Sequence, residues 1–195
     1  MSPRDTPLPP STPRLVALLG AESTGKTSLC AALARSLPGL WVPEALRDFC
    51  AVERRTPRPE EQAAIARAQA EREARARWQA RQLGLHWVLC DTAPLQTAVY
   101  SRLLFGDPSL LEAAVDHHRR QYALSLLLEP DLPWVADPGQ RDGPQMRAPV
   151  HAALRALLDG HALPYRTVAG IEPAARRQAA LGALGVLADP PPGGR

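Results

Sequence analysis

Gly20, Gly25, Lys26 and Thr27 follow the spacing G-x-x-x-x-G-K-[ST] within LLGAESTGKTSL, residues 18–29. Glycines at these two places let the chain bend so that successive backbone N–H groups converge on an anion. A helix starting directly afterwards adds the positive end of its dipole. The spacing therefore predicts a phosphate cradle in which Gly20, Glu22, Ser23, Thr24, Gly25, Lys26, Thr27 and Ser28 surround a nucleotide, expected to be ATP. Lys26 is expected to reach the β- and γ-phosphates, and the Thr27 hydroxyl to ligate Mg²⁺. Lys26 is also the only lysine among 23 basic residues. A compact ammonium on a thin stem suits such a loop, whereas a guanidinium is bulkier and favours bidentate partners.

Three further segments hold residue types that phosphoryl transfer needs. In WVPEALRDF (41–49), Glu44 could accept a proton from an acceptor hydroxyl, Arg47 could clamp a substrate or phosphate oxygen, and Asp48 is a second candidate acid. The same residues could instead form only the charged start of a helix. In VLCDTAP (88–94), Asp91 follows an apolar run directly. An acid there can hold Mg²⁺ beside the phosphate loop, with helix capping as the plainer alternative. Whether Glu44 or Asp91 is the base stays open. In DLPWVADPGQRDGPQMR (131–147), proline, glycine and paired arginines suggest a lid over about 130–147. Arg141 and Arg147 would meet the transferring phosphoryl group, unless the segment is a solvated surface loop.

The elements that must position these residues are legible as alternating apolar runs and helical stretches. RLVALLG (14–20), LWV (40–42), HWVLCD (86–91), YALSLLLE (122–129) and PYRTVAG (164–170) read as strands. Helices are expected from Lys26 to about Leu37 and over 60–82, 94–105, 109–120, 147–159 and 173–187. Glu71/Arg75 and Glu73/Arg77 have the i,i+4 spacing of helix-supporting ion pairs. Strands separated by helices imply a five-stranded parallel sheet with right-handed crossovers, covered by helices on both faces. This is an α/β, three-layer P-loop NTPase fold over 14–188, with loose tails at 1–13 and 189–195.

The chain has 195 residues, 45% of them hydrophobic, and a net charge of +3. That suffices for one domain with an ordinary core. Basic residues are interleaved with acids, so no nucleic-acid arm is expected. Cys30, Cys50 and Cys90 are expected to be free thiols in a reducing cytoplasm. Neither a secretory signal nor a membrane span is expected. An N-K-x-D guanine motif cannot be present once the single lysine is assigned, which excludes an ordinary GTPase. A motor ATPase would need a further helical domain. The oligomeric state is open.

Taken in order, Gly20, Glu22, Ser23, Gly25, Lys26 and Thr27, then Glu44, Arg47 and Asp48, then Asp91 and Thr92, then Trp134, Asp137, Gly139, Arg141 and Arg147 resemble a known pattern. It is that of the ribosylnicotinamide kinase domain of the bacterial trifunctional NAD-biosynthesis regulator and its stand-alone AAA-like ATPase relatives. The resemblance implies ATP-dependent phosphorylation of the 5′-hydroxyl of a nucleoside-like small molecule such as nicotinamide riboside. The sequence departs from the pattern where Pro43 and Ala45 flank Glu44 in place of aromatics, and where Pro138 lengthens the lid by one residue. Trp41, Trp134 or Tyr100 could supply a stacking surface instead. The alternative reading is an ATP-binding sensor module, or an ATPase without a small-molecule acceptor.

Overall fold

A computed structural model describes residues 12–135 and 143–188. Five strands form one parallel sheet: β1 (Arg14–Leu19), β2 (Gly39–Val42), β3 (Trp87–Asp91), β4 (Tyr122–Leu128) and β5 (Tyr165–Val168). Their spatial order is β2-β3-β1-β4-β5. The helices are α1 (Lys26–Ser36), α2 (Ala45–Glu53), α3 (Gln62–Gln82), α4 (Pro94–Phe105), α5 (Leu111–Gln121), α6 (Arg147–Gly160) and α7 (Pro173–Ala188).

Side chains of a strand alternate between faces, so a strand covered on both sides must be apolar at every position. The central strand β1 meets this demand: Leu15 through Leu19 are all buried. Leu15, Ala17 and Leu19 pack with Leu95 and Val99 of α4 and Leu154 and Leu158 of α6. Val16 and Leu18 pack on the other face with Leu29 and Leu33 of α1 and Ala180 and Leu184 of α7. Each fully buried leucine of this kind contributes roughly 1.5–3 kcal/mol. The expected three-layer α/β architecture is therefore the observed one.

Parallel pairing brings the loops that matter to one edge. Leu18 of β1 is in register with Asp91, the last residue of β3. The Thr92 N–H then donates to the Leu18 carbonyl at 3.1 Å. Asp91 thus lies beside the turn that leaves β1.

Some local expectations are corrected. Residues 45–53 form a helix, so the charged helix start offered as the alternative for Glu44, Arg47 and Asp48 is present. Glu71 and Arg75 do pair, at 3.8 Å on the surface. Glu73 does not pair with Arg77: its carboxylate is 1% exposed, and Arg77 instead donates to Gln121 at 3.1 Å. The expected tails at 1–13 and 189–195 fall almost wholly, and the lid residues Asp137, Pro138, Gly139 and Arg141 wholly, outside the described residues. Among the described residues no helix is long and apolar enough to cross a membrane.

Candidate active site

The turn between β1 and α1 is built around its two glycines. Gly20 has φ +152°, and a Cβ there would lie 3.0 Å from both the Leu128 carbonyl oxygen and Thr24 Oγ1. Gly25 caps α1 in the left-handed region, φ +81°, with Leu132 Cδ1 only 3.2 Å from where a Cβ would be. A side chain at either place would be strained and crowded. The first turn of α1 carries no acidic residue, so its dipole and free N–H groups face the turn unopposed.

The remaining loop contacts fix its shape. Lys26 Nζ donates to the Gly20 and Ala21 carbonyls at 2.8 and 2.9 Å. Thr24 Oγ1 donates to the Ala21 carbonyl at 2.8 Å. From α4, Gln96 Oε1 accepts the Gly20 N–H at 3.1 Å. From α7, Arg176 donates to the Thr24 carbonyl at 2.8 Å and to the Glu129 carbonyl at 3.0 Å. It also bonds the Gly170 carbonyl and the Asp131 carboxylate. Arg176 is 4% exposed and ties the cradle to the ends of β4 and β5.

Thr27 Oγ1 donates to Asp91 Oδ2 at 2.6 Å. Asp91 is buried, and its Oδ1 has no hydrogen-bond partner among the described residues. A hydroxyl and a carboxylate, both hard oxygen donors, with one carboxylate oxygen unsatisfied, fit an Mg²⁺ site. The next residue, Thr92, is held at φ 76°, a strained conformation for a β-branched residue.

A cavity of about 440 Å³ opens over the cradle. Glu22, Ser23, Thr24, Gly25, Lys26, Thr27 and Ser28 line one side, and Glu44 and Arg47 line it too, with Gln62, Gln96 and Tyr100. Glu44 is the N-cap residue of α2 and Arg47 lies in its first turn. The structure thus brings Lys26 and Thr27 to the same cavity as Glu44 and Arg47. It does not bring Asp48 there: its carboxylate accepts from Arg72 of α3 at 2.6 Å, on the surface. Nor do Trp41 or Trp134 line the cavity, leaving Tyr100 as its aromatic surface. Arg147 opens α6 and donates to the Leu132 carbonyl at 2.8 Å. It braces the segment that covers Gly25 rather than the cavity wall.

A second polar chain, inside the protein, holds α2. The Ala45 N–H, an unpaired helix-start donor, reaches Gln69 Oε1 of α3 at 2.8 Å. Gln69 Nε2 donates to Glu73 at 2.8 Å, and the Tyr122 hydroxyl donates to the other Glu73 oxygen. Burial pushes the Glu73 carboxyl up to about 7, against the opposing pull of these hydrogen bonds. His118 stacks on Tyr122 with ring centroids 4.3 Å apart and meets Ser125 Oγ at 2.7 Å. Burial pushes its imidazole down to about 3.

Fold and cradle together define a P-loop NTPase fold. The AAA domain family profile matches residues 15–176, and the chain belongs to that family. No curated relative matches the sequence. Among solved structures, NadR protein in complex with NR is similar over 89% of this chain and 50% of that one, with TM-score 0.72 and 19% identity. NadR in complex with NAD and AMP-PNP gives TM-score 0.69 at 19% identity, covering 90% and 50%. Deoxyadenosine kinase from M. mycoides, with products dCMP and a flexible dCDP bound, gives TM-score 0.58 at 11% identity, covering 88% and 98%. The chain therefore spans about half the length of NadR and nearly all of the deoxyadenosine kinase.

Arg176, Gln96, Gln62 and Gln69 were not expected from the sequence. No local pattern marks them, because each acts across elements far apart in the chain.

Proposed function

We propose that the protein is an ATP-dependent kinase that phosphorylates a hydroxyl of a small nucleoside-type acceptor resembling nicotinamide riboside. One observation carries this reading: a single cavity joins the phosphate cradle at Lys26 and Thr27 to the acid–arginine pair Glu44 and Arg47. The alternative reading, a sensor or an ATPase without an acceptor, gives no evident role to an acid and a cation lining the same cavity as the phosphate loop. The ligands of the similar structures, NR in NadR and dCMP in the deoxyadenosine kinase, support the same acceptor class.

The residues divide the work by position. The backbone N–H groups of 20–27 hold the triphosphate, and Lys26 exchanges its two loop carbonyls for β- and γ-phosphate oxygens. Thr27 and Asp91 hold Mg²⁺, which when bound neutralises charge across the phosphates. Glu44 accepts the proton of the acceptor hydroxyl, and Arg47 fixes the acceptor against the γ-phosphate. Arg147, through the Leu132 carbonyl, braces the segment that covers Gly25.

The test is ADP release measured with Mg²⁺–ATP across a panel of nucleosides. Turnover that requires a nucleoside and vanishes in Lys26→Ala supports the reading. ATP hydrolysis indifferent to every nucleoside overturns it, as does tight ATP binding without turnover.

A further inference from the structure

Gln62 opens α3 and is 4% exposed, yet it lines the cavity beside residues of α2 and α4. Its carboxamide makes no hydrogen bond with any described residue. It is also absent from the side-chain groups sealed away without a partner, so the little surface it keeps includes its polar end. A buried carboxamide has two donors and an acceptor with two lone pairs to satisfy. Because that end meets the cavity it is open to water, and a ligand that covers it without matching it would cost about 1–3 kcal/mol.

The surroundings say what would satisfy it. Leu46, Tyr100 and Leu104 give this part of the wall apolar and aromatic surface, suited to a flat ring. Of the charged groups of the cavity, Glu44, Arg47 and Lys26 are committed to the hydroxyl and phosphates in the reading above, and Glu22 belongs to the phosphate loop. Gln62 is the neutral group on the wall that offers donor and acceptor side by side. Gln96, the other amide there, already accepts the Gly20 N–H.

We propose that Gln62 is a specificity-determining residue that reads an amide-like edge, a donor next to an acceptor, on the acceptor's ring. The inference rests on the nucleoside-kinase reading and names the part of the acceptor that the site selects. A site built to hydrogen-bond a substrate group discriminates against the analogue lacking it far more than an apolar wall does.

The experiment uses two matched pairs: nicotinamide riboside against its pyridinium riboside lacking the carboxamide, and adenosine against purine riboside. Calorimetric Kd and steady-state KM are measured for each on the wild-type chain, Gln62→Leu and Gln62→Glu. In the wild type, the amide-edged member of at least one pair should bind at least tenfold tighter. Gln62→Leu should bring that ratio to within twofold while the KM for ATP stays unchanged. Gln62→Glu, which can still accept, should keep part of the preference. A ratio that survives Gln62→Leu, or a wild type that ignores the amide in both pairs, overturns the assignment while the kinase reading stands. Selective binding lost in Gln62→Leu without any phosphorylation supports Gln62 and sinks the kinase reading. If no nucleoside binds at all, both fall.

Discussion

Thr27, the second residue of α1, donates a 2.6 Å hydrogen bond to Asp91 at the end of β3, while the other Asp91 oxygen stays buried without a partner among the described residues. This one contact links the start of α1 to the end of β3, the two places on which the proposed chemistry depends. A carboxylate that is half satisfied in a buried place supports the proposed cation site.

Asp91→Asn removes that charge at constant size. The affinity for ATP in the presence of Mg²⁺ should fall at least tenfold, with a much smaller effect on binding measured in EDTA. Calorimetry with and without the metal reads the difference. An equal loss in both conditions would make Asp91 a brace of the cradle instead of a metal ligand.

Glu44→Gln separates the base from the metal site. A group acting on the acceptor hydroxyl is needed in the transition state but not for nucleotide binding. The expected result is a fall in kcat of at least a hundredfold with the Kd for ATP within twofold. If ATP affinity collapses instead, the roles of Glu44 and Asp91 exchange.

The phosphate cradle was legible because its constraints are local: Gly20, Gly25, Lys26 and Thr27 lie within eight consecutive positions, and the reason for each is steric or electrostatic. The sheet was legible because β1 and β4 are buried on both faces and so carry uninterrupted apolar runs. Arg176 was not, being one arginine among many, whose contact with Thr24 spans 152 positions of chain. Glu73 misled for a related reason. Its i,i+4 spacing to Arg77 predicts a surface pair, but the face of α3 that carries Glu73 turns inward onto Tyr122, and helix periodicity in an alanine- and arginine-rich stretch does not reveal which face is buried. The helix α2 was legible only as its charged start; its hold on the body through Gln69 and Arg72 was not, because those partners lie far along the chain on α3.

Arg176→Ala should damage both stability and nucleotide binding. It removes the Arg176 donors from the Thr24, Glu129 and Gly170 carbonyls and leaves the Asp131 carboxylate only the Gly170 N–H. A loss of roughly 2–4 kcal/mol in unfolding free energy is expected. The Kd for ATP should rise because the carbonyl of Thr24 no longer pins the cradle. Arg176→Lys should fail to rescue either property, since one ammonium cannot span four acceptors. Denaturant unfolding and ATP titration of both variants check this; full rescue by lysine would show that charge alone matters.

Glu73 and His118, both buried against Tyr122, predict an unusual dependence of stability on pH. Glu73 has a folded pKa of about 7 against 4.5 for the free group. Its stabilising contribution is therefore complete below about pH 4.5 and is lost as pH rises through 7, worth on the order of 3 kcal/mol. His118 works in the other direction. With a folded value of about 3 against 6.5, its contribution is complete above pH 6.5 and is lost as pH falls toward 3. Tyr122 and Cys90, the other ionisable groups against Glu73, are both pushed up by burial and stay neutral throughout. Between about pH 4.5 and 6.5 the two slopes oppose, so the wild-type denaturation midpoint should be nearly flat. Glu73→Gln keeps an acceptor for Gln69 but removes the first slope, and its midpoint should fall steadily on acidification from 6.5 to 4.5. His118→Asn removes the second, and its midpoint should rise over the same range. Urea midpoints at half-unit pH steps distinguish the three curves; if all three run parallel, neither group titrates between the folded and unfolded states as its burial requires.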